Sequence, residues 1–177
     1  MVVIAIIAIL AGVAIPGVVR WLPDYRLKSA ARDVYSNMQL AKMGAVKANA
    51  DWAIYFDPGV TPGRYFICSD DNGDGWDGPP AVGGNDVVKK TVDLSTYESG
   101  IGYGHGNATT NATVGGGAFP ADEISYNPNV AIFTPKGTVN TLGYVYLSNN
   151  KGSSYAVATP TIAGVIILRK WMVTAWE

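Results

Sequence analysis

The sequence predicts an α+β protein: a long bent N-terminal helix, its first half able to span a membrane, packed on an antiparallel β-sheet or a two-sheet sandwich. Three observations carry this reading. Residues 1–19, MVVIAIIAILAGVAIPGVV, contain no charged side chain. Residues 25–48 repeat apolar positions at spacings of three and four, the signature of one helical face. From residue 50 onward the period turns alternating and is broken by Gly, Pro, Asn and Asp.

The first nineteen residues, as a helix, would be about 28 Å long, close to the ~30 Å hydrocarbon core of a bilayer. Met1, Val2, Ile4, Ile7 and Leu10 leave no polar face, which suits lipid or a filament interior better than the surface of a soluble domain. Gly12, Gly17 and the intervening alanines permit close approach of a second helix, and Pro16 removes one backbone donor and is expected to kink or locally melt the rod. A cleaved secretory signal is a poorer account, because the chain starts inside the apolar run and continues directly into a helical pattern. Arg20, Arg26, Lys28 and Arg32 follow with few acids, a bias that on charge alone would place this side in the cytoplasm.

Leu22-Pro23-Asp24 is expected to interrupt the helix, since Pro23 disfavours helical geometry at Leu22 and suits a helix start. The chain thus divides into a membrane or filament-core helix, 1–24, and a head, 25–177, made of an amphipathic helix over 25–49 and a β-rich remainder over 50–177. The amphipathic stripe is Leu27, Ala31, Val34, Met38, Ala41, Ala45 and Ala48, whose small residues would let a sheet pack closely. Candidate strands fall at 52–56, 64–69, 86–92, 130–134, 143–147, 154–159 and 164–170, with turns at Asp57-Pro58-Gly59, Pro62-Gly63, Pro135-Lys136-Gly137 and Asn149-Asn150-Lys151-Gly152. Two insertions, 70–85 and 98–123, are too long for ordinary connections and read as surface loops that contact neighbours.

Thirteen basic against fourteen acidic residues give a net charge of −1, with no basic excess to attract nucleic acid. The lone cysteine, Cys68, excludes an intramolecular disulfide and reads as a small half-buried strand residue.

The run MVVIAIIAILAGVAIP, followed by an amphipathic helix and a Gly-rich β head, resembles the N-terminal signature of type IV pilins and type II secretion pseudopilins. The segments NPNVAIFTPKGTVNTLGYVYLSN at 127–149 and YAVATPTIAGVIILRKW at 155–171 resemble the GspH/FimT group of minor pseudopilins. The resemblance implies a pilin-like fold with one long bent helix. It also implies a single-pass anchor in the bacterial inner membrane with the head in the periplasm, and assembly through Met1, Val2, Ile4, Ile7, Leu10, Gly12 and Pro16. Partners would be other major and minor pseudopilins or pilins, the inner-membrane assembly platform and membrane lipid. The methylated aromatic residue and the glutamate that open the mature family chain are not matched, so the sequence is expected to begin a few residues inside the mature protein. Peptidase processing, N-terminal methylation and the glutamate's assembly role are therefore carried by no residue here.

The most chemically suggestive stretch is Asp70-Asp71-Asn72-Gly73-Asp74-Gly75-Trp76-Asp77. Oxygen ligands at alternate positions before a glycine match the first half of a calcium loop, with Asp70, Asn72, Asp74 and Asp77 as ligands. The second half departs: the twelfth position is Ala81, where an EF-hand needs a bidentate acid, and Asp77 or Asp86 would have to stand in. The competing account is a polar turn using Asp and Asn for local hydrogen bonds. His105, the only histidine, has no partner of metal-ligand or nucleophile spacing and reads as a solvated loop residue. Asn107-Ala108-Thr109 and Asn111-Ala112-Thr113 fit the short glycosylation pattern. No phosphate loop, nucleophile elbow or paired-carboxylate motif is recognisable, which argues against an enzyme and leaves no cofactor other than calcium to consider.

The reading is a minor pseudopilin, a structural subunit of a secretion pseudopilus or pilus. Its alternative is a FimT-like DNA-binding minor pilin. In that group DNA is bound by a basic C-terminal strand and loop, to which Arg169 and Lys170 would correspond, and two cations contribute little phosphate affinity. A membrane-anchored enzyme is the third possibility.

Overall fold

The computed structural model describes the backbone of residues 2–177 and, within the first twenty residues, the side chain of Val3 alone. One helix, α1 (Val2–Ala48), runs through both Pro16 and Pro23 without a break. The interruption expected at Leu22-Pro23-Asp24 is therefore corrected. An interior proline costs one backbone bond and a local clash, on the order of 3 kcal/mol. The turn that carries it is held from outside, because Asp24 accepts hydrogen bonds from Asn149 Nδ2 at 2.9 Å and Ser153 Oγ at 2.7 Å.

Leu27, Ala30, Ala31, Val34, Met38, Ala41 and Ala45 are fully buried against the head. This is the expected stripe with Ala30 added and Ala48 removed; Ala48 is exposed where the helix ends and Asn49 turns the chain through a left-handed φ of 51°. Close approach is built in at Gly44, where a Cβ would lie 2.5 Å from the Trp52 ring.

The head is two four-stranded antiparallel sheets. The first has the order β3-β2-β1-β5, formed by β1 (Trp52–Asp57), β2 (Arg64–Ser69), β3 (Val87–Asp93) and β5 (Val130–Phe133). The second has the order β4-β6-β7-β8, formed by β4 (Gly102–Tyr103), β6 (Gly143–Ser148), β7 (Ser154–Thr159) and β8 (Ile167–Lys170). All seven expected strands are present. The two-residue β4 inside the long insertion is additional, and β8 starts at Ile167 rather than at 164.

Side chains from both sheets and the helix meet in one core, with Ile54, Phe56, Tyr65, Ile67 and Phe133 from the first sheet and Val145, Leu147 and Val157 from the second. Register sets this: Ile54 faces Ile67 and Phe56 faces Tyr65, while Val145 faces Val157. Polar ties fix the helix to both sheets. Asn37 donates to Tyr65 O–H oxygen at 2.7 Å and accepts from Lys90 Nζ at 3.0 Å, and Lys42 Nζ donates to the Gly164 carbonyl at 2.9 Å.

The second sheet is covered on its other side as well. Ala112 and Phe119 of the 98–123 insertion and Trp176 near the C-terminus lie over Tyr144, Tyr146, Ala156 and Ala158. That insertion is thus a cover with buried residues of its own, Ile101, Ala108 and Ala112, rather than only a surface loop. The small Ala156 and Ala158 let it lie close, and every residue of β7 is buried in consequence. The first sheet instead ends in the exposed edge strand β3, where Lys89 and Lys90 discourage pairing with another chain.

Candidate functional site

Helix α1 has two distinct faces. Its inner face is taken up by the head; its outer face carries Trp21, Tyr25, Leu40, Met43 and Val46, exposed by 43–61%. Trp21 and Tyr25 stack with ring centroids 4.8 Å apart. Leu40, Met43, Gly44, Lys47, Ala48 and Trp52 line a shallow apolar hollow of about 570 Å³ at the other end of the packed stretch. Among the described residues the head engages the helix from Pro23, which is buried, and Asp24, which bonds Asn149 and Ser153. The side chains of Met1, Val2, Ile4, Ile7, Leu10, Gly12 and Pro16, on which the membrane and assembly expectations rest, lie outside the described residues. Among the described residues no helix is long and apolar enough to cross a membrane.

The Asp-rich loop is organised by its own hydrogen bonds. Asp70 accepts from the Gly73 amide at 2.7 Å and the Gly75 amide at 3.0 Å, one on each carboxylate oxygen. Asn72 Nδ2 donates to Asp74 at 2.8 Å, and Asp77 Oδ1 accepts from the Asn85 amide at 3.0 Å. Asp86, buried at the root of the loop, accepts from the amides of Asp77 and Gly78 at 3.1 and 2.7 Å. Burial raises the Asp86 pKa from the ordinary carboxylate value, and the neighbouring Asp77 carboxylate adds to the effect.

Calcium requires six to eight oxygens converging on one point. Among the described residues no three His, Cys, Asp or Glu side chains form a group that could hold a metal. Asp70, Asn72, Asp74 and Asp77 are arranged as linked turns, and this geometry does not fit the ion. Accordingly, millimolar calcium followed by a chelator is expected to leave the thermal unfolding midpoint of the protein unchanged. A calcium-dependent rise of several degrees, abolished in Asp70→Asn, would show that the loop rearranges around a metal.

Arg169 and Lys170 sit side by side on β8 but do not form a cationic surface together. The Arg169 guanidinium donates to the Ala112 carbonyl at 2.9 Å, so it fastens the insertion to the edge of the sheet; Lys170 is exposed. His105 is not a freely solvated loop residue. Its Nδ1 lies 2.6 Å from Glu123 Oε1 and its ring stacks on Phe119 at 4.0 Å, which ties the turn at His105 to the last residues of the insertion. Cys68 is fully rather than half buried in β2, and that burial pushes its thiol pKa up to about 12. It is a packing residue without thiolate chemistry.

Sequence reasoning missed the clasp of the insertion and the role of the C-terminal residues. Trp176 packs on Tyr146 and Trp171, both at 5.5 Å, and donates its indole N–H to the Thr110 carbonyl at 2.7 Å. The available signal was compositional: aromatic residues in a loop and a tail with no strand period to use them.

Residues 30–160 match the family model described as type II transport protein GspH. No curated protein and no solved structure matches the chain.

Proposed function

Because the chain belongs to the family of the type II transport protein GspH, we propose that it is a minor pseudopilin, a structural subunit anchored in the inner membrane with its head in the periplasm. Its work is assembly. The observation that carries the reading is the single 47-residue helix, in which the described residues from Pro23 to Ala45 provide the face buried against the head. A helix of that length spans about 70 Å, and its first turns carry the charge-free sequence 1–19. Such a rod is suited first to lipid and then to a bundle of like helices, where Gly12 and the alanines allow close packing. Partners are then other pseudopilins, chosen by the loops of the head, and the membrane platform that loads them.

The test is cross-linking in native membranes. Single cysteines, Ile4→Cys, Ile7→Cys, Leu10→Cys and Val13→Cys, are introduced with Cys68→Ala, and the adducts are identified by mass spectrometry. Adducts to pilin-like subunits are expected. A rod that reacts only with lipid-facing probes would remove the filament reading. The DNA-uptake alternative has less support, since the Arg169 guanidinium already serves the Ala112 carbonyl.

A further inference from the structure

The Asp-rich loop does not fit calcium, yet it buries two carboxylates, Asp70 at 7% and Asp86 at 1% exposure. What they hold are glycine amides. Asp70 takes Gly73 on one oxygen and Gly75 on the other, and Asp86 Oδ2 takes Gly78 at 2.7 Å. Asp86 Oδ1 is buried without a hydrogen-bond partner, so the amides of Asp77 and Gly78 are what offsets the loss of water around this group. The three glycines share a sequence feature. Asn72-Gly73, Asp74-Gly75 and Asp77-Gly78 are the three places in the whole chain where Asn or Asp precedes glycine.

Such pairs are open to a reaction of the backbone itself. The glycine nitrogen attacks Cγ of the preceding residue and closes a succinimide ring. At Asn72 the new N–Cγ bond replaces Cγ–Nδ2, and the side-chain nitrogen leaves as ammonia with the backbone proton. At Asp74 and Asp77 the hydroxyl of the protonated carboxyl leaves as water. A water molecule then opens the ring at either carbonyl and gives aspartate or isoaspartate, the latter with a methylene added to the main chain. Glycine favours closure because no Cβ hinders the approach. At Gly73 and Gly75 a Cβ would meet nothing within 4 Å, and Asn72, Asp74 and Asp77 are exposed, so crowding gives these pairs no protection. The turns nevertheless require glycine, with φ of 75°, 98° and 104° at Gly73, Gly75 and Gly78.

We propose that Asn72, Asp74 and Asp77 are latent succinimide sites, kept inert in the folded protein because Asp70 and Asp86 hold the glycine amide that each ring closure needs. Leaving the carboxylate costs the amide a charge-assisted hydrogen bond. Removing its proton there would also set a negative nitrogen beside a negative carboxylate. The carbons under attack are tethered as well. Asn72 Nδ2 donates to Asp74 at 2.8 Å and to Asn85 Oδ1 at 3.1 Å, and Asp77 Oδ1 accepts from the Asn85 amide at 3.0 Å. This role does not depend on the assembly reading. It gives the buried acids a task in the chemical durability of a loop whose turns demand the residue that endangers it.

The test incubates the full chain in detergent at neutral pH, with and without guanidinium. Each pair is followed by peptide mapping, with fragmentation that separates aspartate from isoaspartate. In the folded protein, conversion at Asn72 is expected to be at least about tenfold slower than in guanidinium. Asp70→Ala should raise conversion at Asn72 and Asp74 about tenfold and leave Asp77 unchanged, and Asp86→Ala should raise Asp77 alone. Asp70→Asn keeps the size of the side chain with a single acceptor oxygen, and should release one of the two glycine amides. Equal conversion with and without guanidinium in the unaltered chain would overturn the proposal. A rise at all three pairs in both Asp70 variants would assign the protection to the fold as a whole, and would overturn it too. Slower conversion in Asp70→Ala would show the carboxylate drawing the proton off the amide, the opposite of the role proposed.

Discussion

Replacing Phe56 with alanine is expected to lower the unfolding free energy of the protein by about 3–5 kcal/mol, a large part of the ~5–15 kcal/mol that holds a domain together. Phe56 is fully buried in β1 and is the hub of the aromatic core, with Tyr126, Tyr65 and Tyr103 at centroid distances of 5.6, 6.2 and 6.4 Å. Those tyrosines are tied by their own hydroxyls, Tyr65 to Asn37, Tyr103 to the Arg64 carbonyl and Tyr126 to Thr159. They cannot slide in to fill the void without giving up those bonds, so the cavity term should be near its full size. Urea unfolding of the full chain in detergent, followed by near-ultraviolet circular dichroism, measures the effect. A loss below about 1 kcal/mol would mean that the core collapses around the gap and that its tyrosine bonds are soft.

Met38→Ala is expected to cost about 2–5 kcal/mol, and Met43→Ala less than about 0.5 kcal/mol, although the two are only five residues apart. Met38 is fully buried against the head, whereas Met43 is 61% exposed on the opposite face of the helix. The same unfolding measurement applied to both variants tests whether α1 is an integral layer of the head. Equal losses would show that Met43 is covered in the protein as it exists in solution, and the outer face of the helix would then belong to an interface.

The helix was legible because its buried face obeys a period that follows from helical geometry. Leu27, Val34, Met38, Ala41 and Ala45 fall at helical spacing, and the stripe they define is the buried one. The strands of the first sheet were legible from short apolar, aromatic and β-branched runs bounded by turn residues rather than from alternation, for β2 is buried and β3 exposed at nearly every position. The second sheet's outer cover was not legible. Once both faces of a strand are buried, alternation no longer separates inside from outside, and Tyr144, Tyr146, Ala156 and Ala158 give no hint of what lies over them. Their covers, Ala112, Phe119 and Trp176, come from segments without regular structure, whose contacts are set by tertiary closure.

Pro23 illustrates the opposite error. A local rule was applied correctly and lost to Asp24, whose anchors stand 125 and 129 residues away in the sequence. The Asp-rich loop lies between these cases. Its first half carries a calcium pattern, but whether those oxygens point at an ion or at their own backbone depends on side-chain directions that a pattern does not encode.

The uninterrupted helix carries an angular consequence. Each residue advances an α-helix by about 1.5 Å and turns it by about 100°. With no hinge at Pro23, the direction in which the head faces is fixed by a residue count, the number of positions between the last contact of the rod and the first of the head. Deleting or inserting one residue near Trp21 would barely change the protein's length, yet it would swing the Asp-rich loop and edge strand β3 through more than a quarter turn. The spacing between rod and head thus acts as a compass setting for the subunit, and a change of side chain at that junction would be tolerated far better than a change of number.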